Sequence, residues 1–386
     1  MQKLCNTKLD HNHIYIYIEG NSGCKLEIID NCTILKTTTN QSYKERLKKQ
    51  CEKQMLFANI YKNHSHIIVP QIYKQYWNNK PTEFAKFGFS MPYYYASDFI
   101  MFFENSTTTN IIKMLSILLN FIDKNILDSK YIDCHDFDLS KSRKNSCYHT
   151  TINNKAHNAN NKARNNKIVE SKFLNQSLQS LSKETNEAIN ATESKQTDSI
   201  ESRGYKSKEA ICKYINKEVL LDKYYDTIAK IPKNKNKQDY LLHIEKELKA
   251  LPNNIQIPLG KCHGDLTFSN ILFTDRKIIL IDFLDNFIET PLQDIVKLRQ
   301  DTKHLWSLKL YKREYDKTKI RIILNHLDNI IDKHFSKYEF YRKYYSIFQK
   351  INLLRILPYV KDESIFQYVV NEIIKLNKKD TICQRY

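Results

Sequence analysis

The sequence predicts an α+β chain built in two lobes: a small N-terminal antiparallel sheet carrying one helix, then a larger, mainly helical lobe that contains a hairpin. Three observations predict this. The first hundred residues hold short apolar runs around a glycine-containing turn. After about residue 109, apolar residues recur at helical spacing. Within the helical part, NILF (270–273) and IILI (278–281) flank the four-residue turn TDRK.

The N-terminal lobe spans residues 1–104. IYIYIE (14–19) and CKLEII (24–29) lie on either side of GNSG (20–23), which reads as a hairpin. TILK (33–36) follows as a third strand. A Lys- and Glu-rich helix is expected over 42–60, with Leu47, Cys51, Met55 and Ala58 on one face. HIIVPQIY and FGFSMPYYYASDFIMFF, within 66–103, read as strand-like pieces.

The second lobe begins over 105–138, where Ile111, Met114, Leu115, Leu118, Phe121 and Ile122 share a helical face. Composition then shifts. Residues 139–205 are rich in Ser, Asn and Lys, and seven of the sixteen residues in 152–167 are Asn. Such a segment buries too little apolar surface to offset its ordering entropy, so a disordered insertion is expected. Weak helical spacing over 170–195, at Phe173, Leu174, Leu178 and Leu181, allows a transient helix, and the alternative to plain disorder is that 139–205 contacts a partner. Residues 206–386 complete the lobe, with helices over 206–251 broken at IPKNKNK and again over 303–380, where Tyr341, Tyr344, Tyr345 and Phe348 fall at core spacing.

A chain of 386 residues, 41% hydrophobic, has material for a sizeable core. Its nine cysteines, odd in number and without a CxxC pair, argue against a disulfide framework or a zinc site. The net charge of +18 comes with many Asn, Ile, Tyr and Lys, all read from A/T-rich codons. No recognition motif accompanies that charge, which argues against a nucleic-acid role. The most apolar helix, IIKMLSILLNFI (111–122), is too short to span a membrane and contains Lys113. The start, MQKLCNTKLDHNH, lacks the apolar centre of a signal peptide, so a cytoplasmic location is expected.

Residues 262–283, CHGDLTFSNILFTDRKIILIDF, concentrate the chemistry, placing one of only six glycines beside an Asp. Pairing Phe273 with Ile278 sets Asn270 opposite Ile281, with Asp282 next along. An amide oxygen and a carboxylate then meet at one end of a ribbon, a bed suited to a hard divalent cation such as Mg²⁺. Asp265 enters the same end from a loop, where a carboxylate would align a hydroxyl and accept its proton. His263 would hold that loop, and Gly264 permits a tight backbone path.

HGDLTFSN followed by LIDF resembles the aminoglycoside phosphotransferase and choline kinase-like group, which has a protein-kinase-like fold. The resemblance implies an ATP- and Mg²⁺-dependent kinase with Asp265 as catalytic base, His263 as loop support, and Asn270 and Asp282 as metal ligands. ETPLQDI is similar to the family's segment in which an Asp, here Asp294, braces the catalytic loop. In the first lobe the family pattern implies a turn over the phosphates (Gly20, Ser22 and Gly23 of GNSG), a strand lysine (Lys36), and a helical glutamate paired with it (Glu52, or Glu45). FSMPYYY (89–95), with Met91 and Tyr93, is expected to be the hinge that takes adenine through its backbone.

Several departures favour a small hydroxyl compound over a protein as acceptor. Gly264 stands where protein kinases carry an Arg, Leu284 stands where they carry a Gly, and only eleven residues separate Asp282 from Asp294. Thr267 replaces the lysine they place on the transferring phosphate. Neither GxxxxGK[ST] nor GxGxxG occurs. A sugar, an amino alcohol and an aminoglycoside all remain open as acceptors; Asp285 and Glu289 are candidate acidic contacts, with Lys297 and Arg299 close in sequence. A kinase-like binding scaffold is the alternative, and a protein kinase the more remote one.

Overall fold

A computed structural model describes residues 6–10, 13–19, 24–29, 32–77, 87–129, 214–232 and 239–383. The 139–205 insertion and the turn residues Gly20, Ser22 and Gly23 lie outside the described residues.

The first lobe is a six-stranded antiparallel sheet in the order β1-β2-β3-β4-β7-β6. It comprises β1 (Asn6–Asp10), β2 (His13–Glu19), β3 (Lys25–Ile29), β4 (Thr33–Thr38), β6 (Lys74–Tyr76) and β7 (Phe87–Pro92). The expected hairpin and third strand are present: Glu19 pairs with Lys25, and Leu26 with Lys36. The strand β5 (Ile67–Ile68) leaves this sheet and joins the second lobe.

Helix α1 (Gln41–Ile60) starts at Asn40, whose side chain caps the Ser42 amide. Its buried face runs through Leu47, Cys51, Gln54 and Ala58. Met55, expected on that face, is exposed instead. The i, i+4, i+7, i+11 stripe passes through Gln54, which donates to the Pro70 carbonyl, and turns Met55 aside.

The segment ending DFIMFF is a helix rather than a strand, α2 (Phe99–Asn105). Asp98 caps it by accepting from the Met101 amide, and Phe99, Ile100, Phe102 and Phe103 bury against the second lobe. The long apolar helix α3 (Thr108–Ser129) buries all six residues expected of its face.

The second lobe continues with β8 (Tyr214–Asn216), α4 (Glu218–Ile228), α5 (Asp239–Ala250) and β9 (Asn254–Gln256). The hairpin β10 (Ile271–Phe273) and β11 (Ile278–Leu280) follows, and then α6 (Pro291–Thr302), α7 (Trp306–Leu310), α8 (Lys317–Phe335), α9 (Glu339–Leu354) and α10 (Glu363–Cys383). β5 lies parallel to β11 and so extends the hairpin to three strands. Ser97 and Phe273 exchange backbone hydrogen bonds at 2.9 Å in each direction, tying the exit of the first lobe to the hairpin. Phe283 is fully buried at the junction, its ring 4.8 Å from Phe57 of α1 and 4.2 Å from His263. The architecture is the two-lobed α+β arrangement expected from the sequence, a small antiparallel sheet carrying one helix and a larger, mainly helical lobe with a hairpin. Among the described residues, no helix is long and apolar enough to cross a membrane.

Candidate active site

The hairpin register is the one the sequence dictates. Phe273 pairs with Ile278 and Ile271 with Leu280, and the Ile281 amide donates to the Asn270 carbonyl at 3.1 Å. Asn270 and Asp282 therefore share one end of the ribbon. Asp282 has φ 61°, a left-handed conformation that Asp tolerates better than most residues but at some cost. Next to it, the Leu284 amide donates to the His263 carbonyl at 3.0 Å, which joins the residue after the hairpin to the start of the loop 263–270.

Gly264 is required at its position. Its φ is +88°, and a Cβ there would lie 1.8 Å from the Leu284 carbonyl oxygen. An Arg, as in protein kinases, has no room. His263 is fully buried; its Nε2 lies 2.9 Å from the Ile281 carbonyl and its Nδ1 accepts from the Asp265 amide at 3.2 Å. Burial, only partly opposed by Asp265, lowers this imidazole to about 4, so it is neutral near pH 7. A neutral ring with hydrogen on Nε2 satisfies both contacts.

Helix α6 is the bed of the loop. Thr290 caps it by accepting from the Leu292 amide, with Pro291 in the first turn, and this fixes where Asp294 falls. Asp294 is fully buried; Oδ2 accepts from the His263 amide and Oδ1 from the Gly264 amide, each at 2.7 Å. Burial pushes its carboxyl up to about 7, against the pull of the two amides and of Lys53. One turn on, Lys297 pairs with Asp265 at 3.0 Å. A further turn on, Asp301 accepts from the Phe268 amide at 2.6 Å and from Ser307. Positions i, i+3 and i+7 of one helix thus hold three points of the loop. Arg299 faces the other way and makes a two-pronged contact with Asp328.

Asp265 has both carboxylate oxygens engaged, Oδ1 by Lys297 and Oδ2 by the Asn270 side-chain nitrogen at 2.9 Å. Burial acts to raise this carboxyl, but Lys297, His263 and Asn270 outweigh it and hold it below the usual range. Asn270 also donates to the Asp265 carbonyl at 2.8 Å. Its amide nitrogen is spent on Asp265, which leaves its oxygen turned to other donors or to a cation.

Lys36, on β4, is buried and lies 2.7 Å from Asp282 Oδ1. Burial opposes its charge, but the attraction of Asp282 prevails and the ammonium is held above its ordinary value. Its partner on α1 is Gln50 at 3.2 Å, and neither Glu52 nor Glu45 reaches it. The helix phase explains this correction. Gln50 lies on the Leu47–Cys51–Gln54 face, whereas Glu52, two residues on, is rotated about 200° to solvent. Lys53 of α1 instead reaches the second lobe, bonding Glu289 at 2.6 Å and the Leu284 carbonyl at 2.9 Å.

The expected hinge is present but differs in detail. Met91 pairs with Ile34 in the sheet, and its buried side chain receives Gln54 Nε2 at 3.3 Å. The Tyr93 amide donates to the Cys32 carbonyl at 2.7 Å, so it is not available to adenine; its carbonyl accepts no backbone hydrogen bond among the described residues. Asp285 pairs with Lys49 at 3.6 Å and Glu289 with Lys53, so both candidate acidic contacts are already occupied. Sequence reasoning missed Gln50, Lys297 and Asp301 as site residues. The i+3 and i+7 spacing from Asp294 was the available signal for the last two.

Residues 212–313 match the model of the phosphotransferase enzyme family, APH. The match holds every loop, hairpin and α6 residue named above, so the family resemblance drawn from HGDLTFSN and LIDF holds over that segment. The segment that holds the loop, the hairpin and α6 is thus similar to a phosphotransferase family. Among solved structures, it is similar to a choline kinase from Cryptosporidium parvum Iowa II (11% identity, 98% of this chain, 92% of that chain, TM-score 0.48). It is also similar to an APH(2″)-IIa complex with gentamicin (15% identity, 93% of this chain, 90% of that chain, TM-score 0.47). A third is a glucosamine kinase in complex with glucosamine, ADP and inorganic phosphate (11% identity, 96% of this chain, 76% of that chain, TM-score 0.40). No curated protein matches the sequence.

Proposed function

We propose that this protein transfers the γ-phosphoryl group of ATP, in the presence of Mg²⁺, to a hydroxyl of a small molecule, with Asp265 as base. The observation that supports this most is the convergence of Asp265, Asn270, Asp282 and Lys36 at one end of the hairpin, on a loop fixed by α6. A loop held at its backbone by Asp294 and Asp301 presents the Asp265 carboxylate in one place, as alignment of a hydroxyl requires. The carboxylate is ionised at neutral pH and can accept the hydroxyl proton as the oxygen–phosphorus bond forms.

The donor set suits Mg²⁺. The Asn270 oxygen and the Asp282 carboxylate are hard oxygens, and Asp282 Oδ2 has no hydrogen-bond partner among the described residues. When bound there, the cation would neutralise charge on the phosphate oxygens. Lys36 is placed to bind phosphate oxygens in the same region, and Gly20, Ser22 and Gly23 would cover them. The base would lie against the hinge, with Met91 as a buried wall and the Tyr93 carbonyl as acceptor. The restricted space at Gly264 and the short run from Asp282 to Asp294 favour a small acceptor over a peptide.

ADP release and ATP-dependent thermal shift, measured together, test this. Asp265→Asn should lose turnover and keep the shift with Mg²⁺ and ATP, while Asp282→Ala should lose the shift. Wild-type turnover in Asp265→Asn would sink the assignment, and a wild type that is not shifted by Mg²⁺ and ATP would favour a scaffold.

A further inference from the structure

The charges around Asp265 say which class of hydroxyl compound fits. Each carboxylate there already has a partner. Asp265 is held by Lys297, Asp282 by Lys36, Asp285 by Lys49 and Glu289 by Lys53. Asp294 is fully buried behind the loop and takes two amides. A cationic acceptor such as an amino alcohol would find no unengaged carboxylate in this set. At the loop itself, the charged group without an ion pair among the described residues is a cation.

That cation is Arg355. It is the residue that ends α9, and its side chain is only partly exposed. Its contacts are with neutral groups: Nη1 donates to Asn286 Oδ1 at 3.3 Å, and the guanidinium lies 5.2 Å from the centre of the Phe287 ring. Among the described residues it forms no ion pair. The contact to Asn286 places it at the catalytic loop, because Asn286 Nδ2 donates to the Gly264 carbonyl at 2.7 Å, one residue before Asp265. Burial pulls its charge down, and the Asp265 carboxylate, acting across the site, supports it. Arg46, on α1, repels it and lines a cleft of about 270 Å³ with Glu45, Lys49, Leu284 and Asp285. A partly desolvated guanidinium with donors to spare, one hydrogen-bonded residue away from the loop at Gly264, suits a carboxylate or phosphate, which can take two of its parallel N–H groups.

We infer that the acceptor carries an anionic group, a carboxylate or a phosphate, beside the hydroxyl that is phosphorylated, and that Arg355 binds that group. Lys36 belongs to the sheet and to Asp282; Arg355 belongs to α9 and to the loop at Gly264, and so serves the acceptor and not the nucleotide. The inference rests on the phosphotransferase reading, and the test separates the two.

The test is thermal shift in Mg²⁺ and ADP, with glycerate and glycerol 3-phosphate as anionic probes, glycerol as neutral probe and ethanolamine as cationic probe. The anionic probes should raise the midpoint of the wild type, and glycerol and ethanolamine should not. Arg355→Gln should weaken their binding by at least about tenfold, and Arg355→Lys by less, since the charge stays and the fork is lost. The shift by Mg²⁺ and ADP alone should persist in both variants and reports that they are folded. Glycerate against glycerol 3-phosphate tells carboxylate from phosphate. A shift by ethanolamine, no shift by either anion, or equal anion binding in folded Arg355→Gln would each overturn the inference. A wild type that does not respond to Mg²⁺ and nucleotide would instead overturn the phosphotransferase reading. Should both variants fail to fold, the wild-type comparison of the four probes still decides.

Discussion

Asp294→Asn isolates the positioning of the catalytic loop from its chemistry. In the wild type the two carboxylate oxygens each accept one backbone N–H at 2.7 Å, from His263 and Gly264. An asparagine has one acceptor oxygen and one NH₂ group, so one of these amides would face a donor. The loss of one charge-assisted hydrogen bond costs about 1.5–3 kcal/mol, and the buried amide left unpaired roughly 1–3 kcal/mol more. The loop has little freedom to relieve this, because Gly264 at φ +88° lies against the Leu284 carbonyl. A total of about 2.5–6 kcal/mol is a large part of the roughly 5–15 kcal/mol that holds a domain folded. Where the loop does shift, an ångström of error at Asp265 is enough to lower kcat by about a hundredfold. Urea unfolding and steady-state ADP release measure the two parts. The expected result is a lower unfolding midpoint with a fall in kcat and little change in the KM for ATP, since Lys36 and Asp282 are untouched. A variant with wild-type midpoint and wild-type kcat would refute the reasoning, and so would a change confined to the KM for ATP.

Three further outcomes can be checked by the same methods. Lys53→Met removes the partner of the largely buried Glu289 and should cost about 3–5 kcal/mol in urea unfolding, whereas Lys53→Met with Glu289→Leu should recover much of that; equal losses in both would show the pair to be independent. His263 is depressed from an ordinary 6.5 to about 4 in the folded state, so its stability contribution is present above pH 6.5 and is lost as pH falls from there towards 4. Its share is about 3 kcal/mol, near 1.4 kcal/mol per pH unit, and His263→Asn should flatten the fall of stability between pH 6.5 and 4 by about that slope; a parallel pH profile would contradict it. Gly264→Ala sets a methyl group 1.8 Å from the Leu284 oxygen at a positive φ and should lower the unfolding midpoint by well over the roughly 1–2 kcal/mol of the backbone term alone, so an unchanged midpoint would show that the loop can move.

What was legible in the sequence was local, and what was not depended on helix phase or on distant parts of the chain. The hairpin register followed from apolar alternation and a four-residue turn, so Asn270 and Asp282 could be set side by side from fourteen consecutive residues, 269 to 282. Asp294 was reached through the family motif, but Lys297 and Asp301 lie on the same face one and two turns on, where helical spacing alone points to them. Glu52 was misread because a charged residue on a Lys- and Glu-rich helix carries no mark of its direction. The neutral Gln50 took the inner position, since that face is set by Leu47, Cys51 and Gln54 packing under the sheet. DFIMFF was misread for a related reason. An unbroken apolar run fits a buried strand and a buried helix equally, and the cap from Asp98 to Met101 decided it. Arg355 was beyond reach, since ninety residues separate it from Asp265 and only the packing of α9 against the loop at Asn286 brings them together. The residues proposed to carry the reaction are thus encoded in one short stretch, while the one proposed to select the acceptor is placed by the packing of the helical lobe. That division explains how a motif can identify the chemistry and leave the acceptor open.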